Sequence, residues 1–200
     1  MRRLLAAALV AATAFGFTLA PSAAVSATDP TGDAVRPQGD IGRYVVRLDS
    51  ASDRYVVKVA VARGVDPVTT KSWRGTNTAI RIYWDTSPLP GEEFLTTLHT
   101  VGSPAVFTGE TTANLPIDLL NDQGIAIPSG LDCTATAPTG TGGTIQYLAP
   151  NTYKVRVPAS CLPGAASVSA RIEMTFDPRP AGGTDTDNAP NNGYVDLPAA

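Results

Sequence analysis

The sequence predicts an antiparallel β-sandwich of the immunoglobulin-like or jelly-roll-like kind, built from roughly seven to nine short strands and held by one disulfide. Three observations carry that expectation. Apolar and polar residues alternate at period two in several separate stretches; clusters of Gly, Pro, Asn and Asp separate those stretches; and none of the segments between them has helical period. Of 200 residues, 43% are hydrophobic and 16% charged, which suits one domain around one core. The 18 glycines and 17 prolines mark a loop-rich fold, short of the roughly 25–30% that marks low-complexity chain.

Residues 1–27 read as an export address. Met1-Arg2-Arg3 is a basic start, Leu4 to Ala20 is uncharged and apolar, and Pro21 to Ala27 is small and polar, the pattern of a secretory signal peptide. Val25-Ser26-Ala27 offers small side chains to signal peptidase, so cleavage is expected after Ala27, with Ala24 as the fallback. The apolar run is shorter than the roughly 20 residues that span a bilayer, so the product is expected to be secreted, soluble and monomeric. Beyond residue 27 the chain has 13 basic and 18 acidic residues, and its only lysines are Lys58, Lys71 and Lys154. That balance predicts no basic stripe able to track a phosphate backbone, and excludes nucleic acid as a partner.

The elements follow in order along residues 28–176. Tyr44, Val46 and Leu48 alternate with Val45, Arg47 and Asp49; a turn over Asp49–Asp53 follows; Tyr55, Val57, Val59 and Val61 then share a side, so 43–62 reads as a hairpin. Gly64 to Gly75 reads as a loop. Ile80, Ile82 and Trp84 form the next inward face, Pro88–Gly91 turns the chain, and strands are expected near 93–101 and 105–108. Pro116 to Asp122 is the best helical stretch, at about two turns. Ile145 and Tyr147, a turn at Ala149-Pro150-Asn151, and Tyr153, Val155 and Val157 make a second hairpin. In 168–176, Val168, Ala170, Ile172, Met174 and Phe176 face one way and Ser169, Arg171, Glu173 and Thr175 the other, as on a sheet with one wet side. Residues 177–200, rich in Pro, Gly, Asp and Asn, read as a loose tail partly packed on the domain, with one short strand near 194–197.

Cys133 and Cys161 are the only cysteines of a chain expected to be exported, and a single disulfide is the economical reading. Closing that loop would contribute about 3 kcal/mol on the chain-entropy account.

The acidic residues are the remaining source of chemistry. Asp29-Pro-Thr-Gly-Asp33 is followed by Asp40, and Asp185 and Asp187 lie near the other terminus. If the two termini meet, these carboxylates converge on one ion, and calcium, which takes six to eight oxygen donors, is the natural guest. Asp185-Thr-Asp187-Asn188 does not continue as a helix-loop-helix calcium loop, because Ala189 and Pro190 hold its fifth and sixth positions. The competing reading makes the aspartates turn formers that accept backbone N–H groups.

Asp29-Pro-Thr-Gly-Asp33 followed by Asp40-Ile41 and a strand hairpin resembles the opening of calcium-associated β-sandwich modules of the glucodextranase C-terminal type, which are appended to secreted carbohydrate-active enzymes. Ala34 stands where a further Asp is usual, and the aromatic-proline stretch that follows in those modules is missing. With Val155-Arg-Val-Pro-Ala-Ser-Cys161-Leu162, the sequence also resembles secreted β-sandwich proteins of high-GC actinobacteria. The resemblance implies a non-catalytic module that engages extracellular carbohydrate or a cell-wall polymer.

Trp73 and Tyr83 are the aromatic residues best placed to stack on a sugar, whereas Trp84 shares parity with Ile80 and Ile82 and belongs to the core. His99 is the only histidine and has no partner at metal spacing; Glu92 and Glu93, as neighbours on a strand, face opposite ways and do not make a glycosidase pair. With no catalytic residues assigned, the sequence reads as a binding module, calcium its only expected cofactor. The alternative is an exported structural or protein-interaction domain whose aspartates serve turns alone.

Overall fold

A computed structural model describes residues 24–74, 77–87, 91–115, 133–136, 144–163, 167–178 and 183–197. Two antiparallel sheets face each other. The first contains β1 (Ala24–Thr28), β2 (Ile41–Asp49), β3 (Arg54–Val61), β8 (Thr144–Leu148) and β9 (Thr152–Pro158), in the order β1-β2-β3-β9-β8. The second runs β11-β10-β4-β5-β6-β7, from β4 (Ala79–Asp85), β5 (Phe94–Val101), β6 (Val106–Ala113), β7 (Thr134–Thr136), β10 (Val168–Phe176) and β11 (Asp185–Ala189); β12 (Val195–Leu197) also pairs with β10. β11 covers the second half of β10 and β12 the first, so a broken edge strand closes that side of the sheet.

The period-two stretches become β2, β3, β4, β5, β9 and β10, and their apolar parity is the interior: Tyr44, Val46, Val57, Val59, Ile80, Ile82, Trp84, Val155, Ile172 and Met174 are all buried. Tyr55 of β3 meets Trp84 of β4 across the sandwich with ring centroids 5.6 Å apart, and the Trp84 indole N–H donates to Thr96 Oγ1 at 2.8 Å. This satisfies the one polar atom of a large buried ring. At the other end Phe107 of β6 and Tyr153 of β9 pack on Trp73, at 5.4 and 5.3 Å. Gly64 lies where the loop after β3 presses on the turn before β9: a Cβ there would collide with the Pro150–Asn151 backbone.

Twelve strands among the described residues exceed the expected seven to nine. The additions β1, β7 and β11 are three to five residues long, too short to show alternation. β11, Asp-Thr-Asp-Asn-Ala, has a composition that argues against a strand; it is one because β10 offers it a free ladder edge. Within 177–200 the described residues include two strands paired to β10, Asp185–Ala189 and Val195–Leu197. The cleavage point expected after Ala27 falls inside β1, whereas cleavage after Ala24 leaves Val25–Thr28 paired to β2. The helical stretch read at Pro116 to Asp122 lies outside the described residues. A 3-10 turn over Lys71–Trp73 sits in the loop after β3. No helix of the described residues is long and apolar enough to cross a membrane.

Cys133 and Cys161 are bonded, with Cα atoms 5.8 Å apart. Cys133 precedes β7 in one sheet and Cys161 follows β9 in the other, so the bond ties the two layers together.

Candidate functional site: an acidic pocket where the termini meet

Register explains how carboxylates enter the sandwich margin. Asp187 pairs with Met174 and Asp185 with Phe176, and paired residues share a face, so both aspartates lie on the core-facing side of β11. Carboxylates there need partners, because burying an unsatisfied charge is costly. The loop between β1 and β2 meets them. Gly32, at φ 93°, takes a conformation that side chains disfavour, and its N–H donates to Asp40 Oδ2 at 2.8 Å.

Each aspartate then has a distinct environment. Asp185 accepts from the Val35 N–H at 3.3 Å and the Arg36 N–H at 2.7 Å, so it holds the loop as a backbone cap. Of the five aspartates expected around an ion, Asp185 and Asp40 lie outside the trio whose oxygens converge. Asp187, 5% exposed, accepts from the Ile41 N–H at 2.7 Å and from its neighbour Asn188 at 2.8 Å. Asp33 is exposed and accepts from the Asn191 amide at 2.8 Å. Asp29 and Asp40, 7% and 4% exposed, each bury one carboxylate oxygen, Oδ2 and Oδ1 respectively, with no hydrogen-bond partner among the described residues.

Asp29, Asp33 and Asp187 bring one carboxylate oxygen each within 4.8 Å of one another. Three hard oxygen donors gathered this closely are the kind of set a divalent cation such as calcium takes, with bonds of about 2.3–2.6 Å. The electrostatics show crowding. Burial, then the charges of Asp187, Asp33 and Asp40, push Asp29 from 3.8 up to about 6. Asp187 is also raised, by burial first and then by Asp33 and Asp40, against the pull of its backbone hydrogen bonds. Among the described residues, the charges that shift Asp29 are all carboxylates.

The aromatic candidates fare differently. Trp73 is 1% exposed and packed against Phe107 and Tyr153, so it is a core residue and offers no stacking surface; the loop that carries it folds inward because an indole ring buries more apolar area than its neighbours. Tyr83 lies on the outward side of β4, half-buried, with the Arg171 guanidinium 4.2 Å over its ring. That ring face is already taken by an internal cation. Glu92 and Glu93 diverge as expected. Glu93 is wholly buried and accepts from the Thr86 N–H at 2.7 Å and from the Ser87 hydroxyl, while Glu92 reaches Arg171 and Tyr194. His99 is half-buried, its register partner is Thr108, and its Nδ1 has no hydrogen-bond partner among the described residues.

No family model matches this chain, and neither a curated protein nor a solved structure matches it.

Proposed function

We propose that the chain is an exported, non-catalytic binding module whose acidic pocket holds one calcium ion, and that the ion fastens the loop before β2 to the edge strand β11. The observation that carries this reading is the convergence, among the described residues, of Asp29, Asp33 and Asp187 beside two buried, unpartnered carboxylate oxygens, with only carboxylate charges shifting Asp29. Asp29, Asp33 and Asp187 would be the protein ligands and Asp40 the neighbour that holds the loop. A divalent cation would neutralise the mutual repulsion that now raises Asp29. Hard, all-oxygen donors suit calcium, which tolerates an irregular set of carboxylates better than magnesium does. A glycan held through Trp73 is not part of the proposal, because that ring is in the core.

The test is a thermal melt of the disulfide-intact exported protein in millimolar calcium, in magnesium and in chelator. Calcium is expected to raise the melting temperature, by the equivalent of about 4 kcal/mol where it exceeds its dissociation constant a thousandfold. Asp33→Asn should abolish most of that rise: Asp33 is exposed, and an asparagine keeps an oxygen for Asn191. Coincident calcium and chelator curves for the unaltered protein overturn the reading and return the aspartates to turn chemistry.

A further inference from the structure

The outward side of the five-stranded sheet gathers cations that the composition spreads thinly along the chain. β2 presents Arg43 and Arg47, β3 presents Arg54 and Lys58, and β9 presents Lys154 and Arg156, with Arg54 opposite Asp49. Register sets Lys58 directly opposite Lys154 and places Val56 between Arg47 and Arg156. Directly opposed like charges on neighbouring strands are destabilising. Among the described residues the only ion pair on this face is Arg47 with Asp49, at 3.8 Å. Lys154 reaches the neutral Gln146 Oε1 at 3.4 Å, Arg43 reaches Ser26 Oγ at 3.2 and 3.3 Å, and Arg156 Nε is buried with no hydrogen-bond partner. Burial, then the charges of Arg156, Lys58 and Arg47, hold the Lys154 ammonium below its ordinary pKa. Pairing three strands thus gathers six cations on one face of a chain whose composition is acidic.

Between these charges the small side chains of Val45, Ala60 and Thr152 leave a shallow groove of about 290 Å3, flanked by Arg43 and Lys58. We propose that this face is a docking surface for an extended anionic polysaccharide, whose acid groups replace the missing counter-charges while a sugar unit rests in the groove. Charge complementarity carries the choice of an anion, and a sheet several strands wide, open along its length, suits a polymer lying across it. The outward positions of β2, β3 and β9 include no aromatic ring, so the polymer would be held by charge and hydrogen bonds and not by stacking. The inference rests on the reading of the chain as a binding module but not on its ion.

Polygalacturonate is the probe, titrated by calorimetry into the exported protein at low salt in chelator, so that calcium cannot bridge the two. Saturable binding that weakens steeply with added sodium chloride is expected. The variant Lys58→Gln/Lys154→Gln should bind about tenfold or more weakly, and its melting temperature should hold or rise, because a like-charge pair is removed. A purely structural role for these lysines would lower it. If that variant does not fold, the exposed Arg43→Gln, at the groove rim, should weaken binding about threefold. Failure of the unaltered protein to bind overturns the proposal, as does equal binding by the lysine variant. So does tighter binding of duplex DNA or of phosphatidylglycerol vesicles, or a low-salt self-association that the lysine variant abolishes. Loss of the calcium effect with polysaccharide binding intact would remove the ion and leave this surface standing.

Discussion

The two outward sheet faces treat their cations in opposite ways. On the seven-stranded sheet Arg81 donates to Glu173 Oε1 and Thr175 Oγ1, both at 2.9 Å. Arg171 lies over Tyr83 and donates to Asn188 Oδ1 at 2.9 Å and Glu92 Oε1 at 3.1 Å, while the Tyr194 hydroxyl donates to the same Glu92 oxygen at 2.9 Å. Burial alone would raise Glu92, but hydrogen bonds from Tyr194 and Arg171 hold its carboxyl below its ordinary value. The network joins β10, β4, the turn before β5 and the broken β11–β12 edge, so it does structural work. On the five-stranded sheet Lys58 opposes Lys154, and among the described residues only Arg47 has an ion pair, with Asp49. Charge that the fold balances is architecture; charge left unbalanced, positive on that face and negative among the aspartates beside β11, is where the two proposals place a ligand.

The sharpest way to break the contrast is at its balanced side. Arg171→Met would leave Glu92 half-buried beside Tyr83 and Tyr194 without its cation, and should destabilise the protein by about 2 kcal/mol in urea unfolding. The Arg171 side chain keeps 26% of its exposure, which places the loss below that of a fully buried pair. A loss under about 0.5 kcal/mol would mean that the network only decorates the sheet.

The acidic pocket supplies the next test, through pH. Asp29 titrates near 6 when folded against 3.8 ordinarily, so between those values the folded chain holds more protons than the unfolded one. Stability in chelator should therefore fall as pH rises from 5 to 7, on the order of 1–2 kcal/mol, with Asp187 contributing in the same direction. Glu92 acts oppositely but below its ordinary 4.5, outside that window. In calcium the slope should reverse, because protons compete with the ion for the same oxygens. Equal slopes with and without calcium, measured by urea unfolding at the two pH values, would separate the ion from these aspartates. The smallest effect belongs to the cationic face. Raising salt in chelator should stabilise the unaltered protein by about 0.5 kcal/mol through screening of Lys58 and Lys154, and less in Lys58→Gln/Lys154→Gln.

Much of the fold was legible because alternation is a local property. Where eight or nine residues repeat at period two, as in Val168–Phe176, the buried set is readable directly and the structure keeps it. β11 was not legible: no aspartate-rich pentapeptide announces a strand, and only the free edge of β10 makes one. The acidic pocket was half legible. Two aspartate clusters were visible at opposite ends of the domain, and they do meet, but which carboxylates cap backbone and which converge was decided by register: Asp185 falls opposite Phe176 and reaches the loop N–H groups, while Asp187, two residues on, reaches Asp29 and Asp33. Trp73 was misjudged because a lone aromatic in a loop has no parity to declare its side.

By itself the sequence determined the class of fold, the inward faces of the long strands and the pairing of Cys133 with Cys161, since period-two alternation and a count of two cysteines need no knowledge of neighbours. Only the tertiary structure decided which strands lie side by side. That choice sets Lys58 of β3 against Lys154 of β9, ninety-six positions apart, and brings Asp187 to Asp29. Both charged sites exist because backbone hydrogen bonds and apolar burial hold distant segments together, at an energy large enough to press like charges into one place.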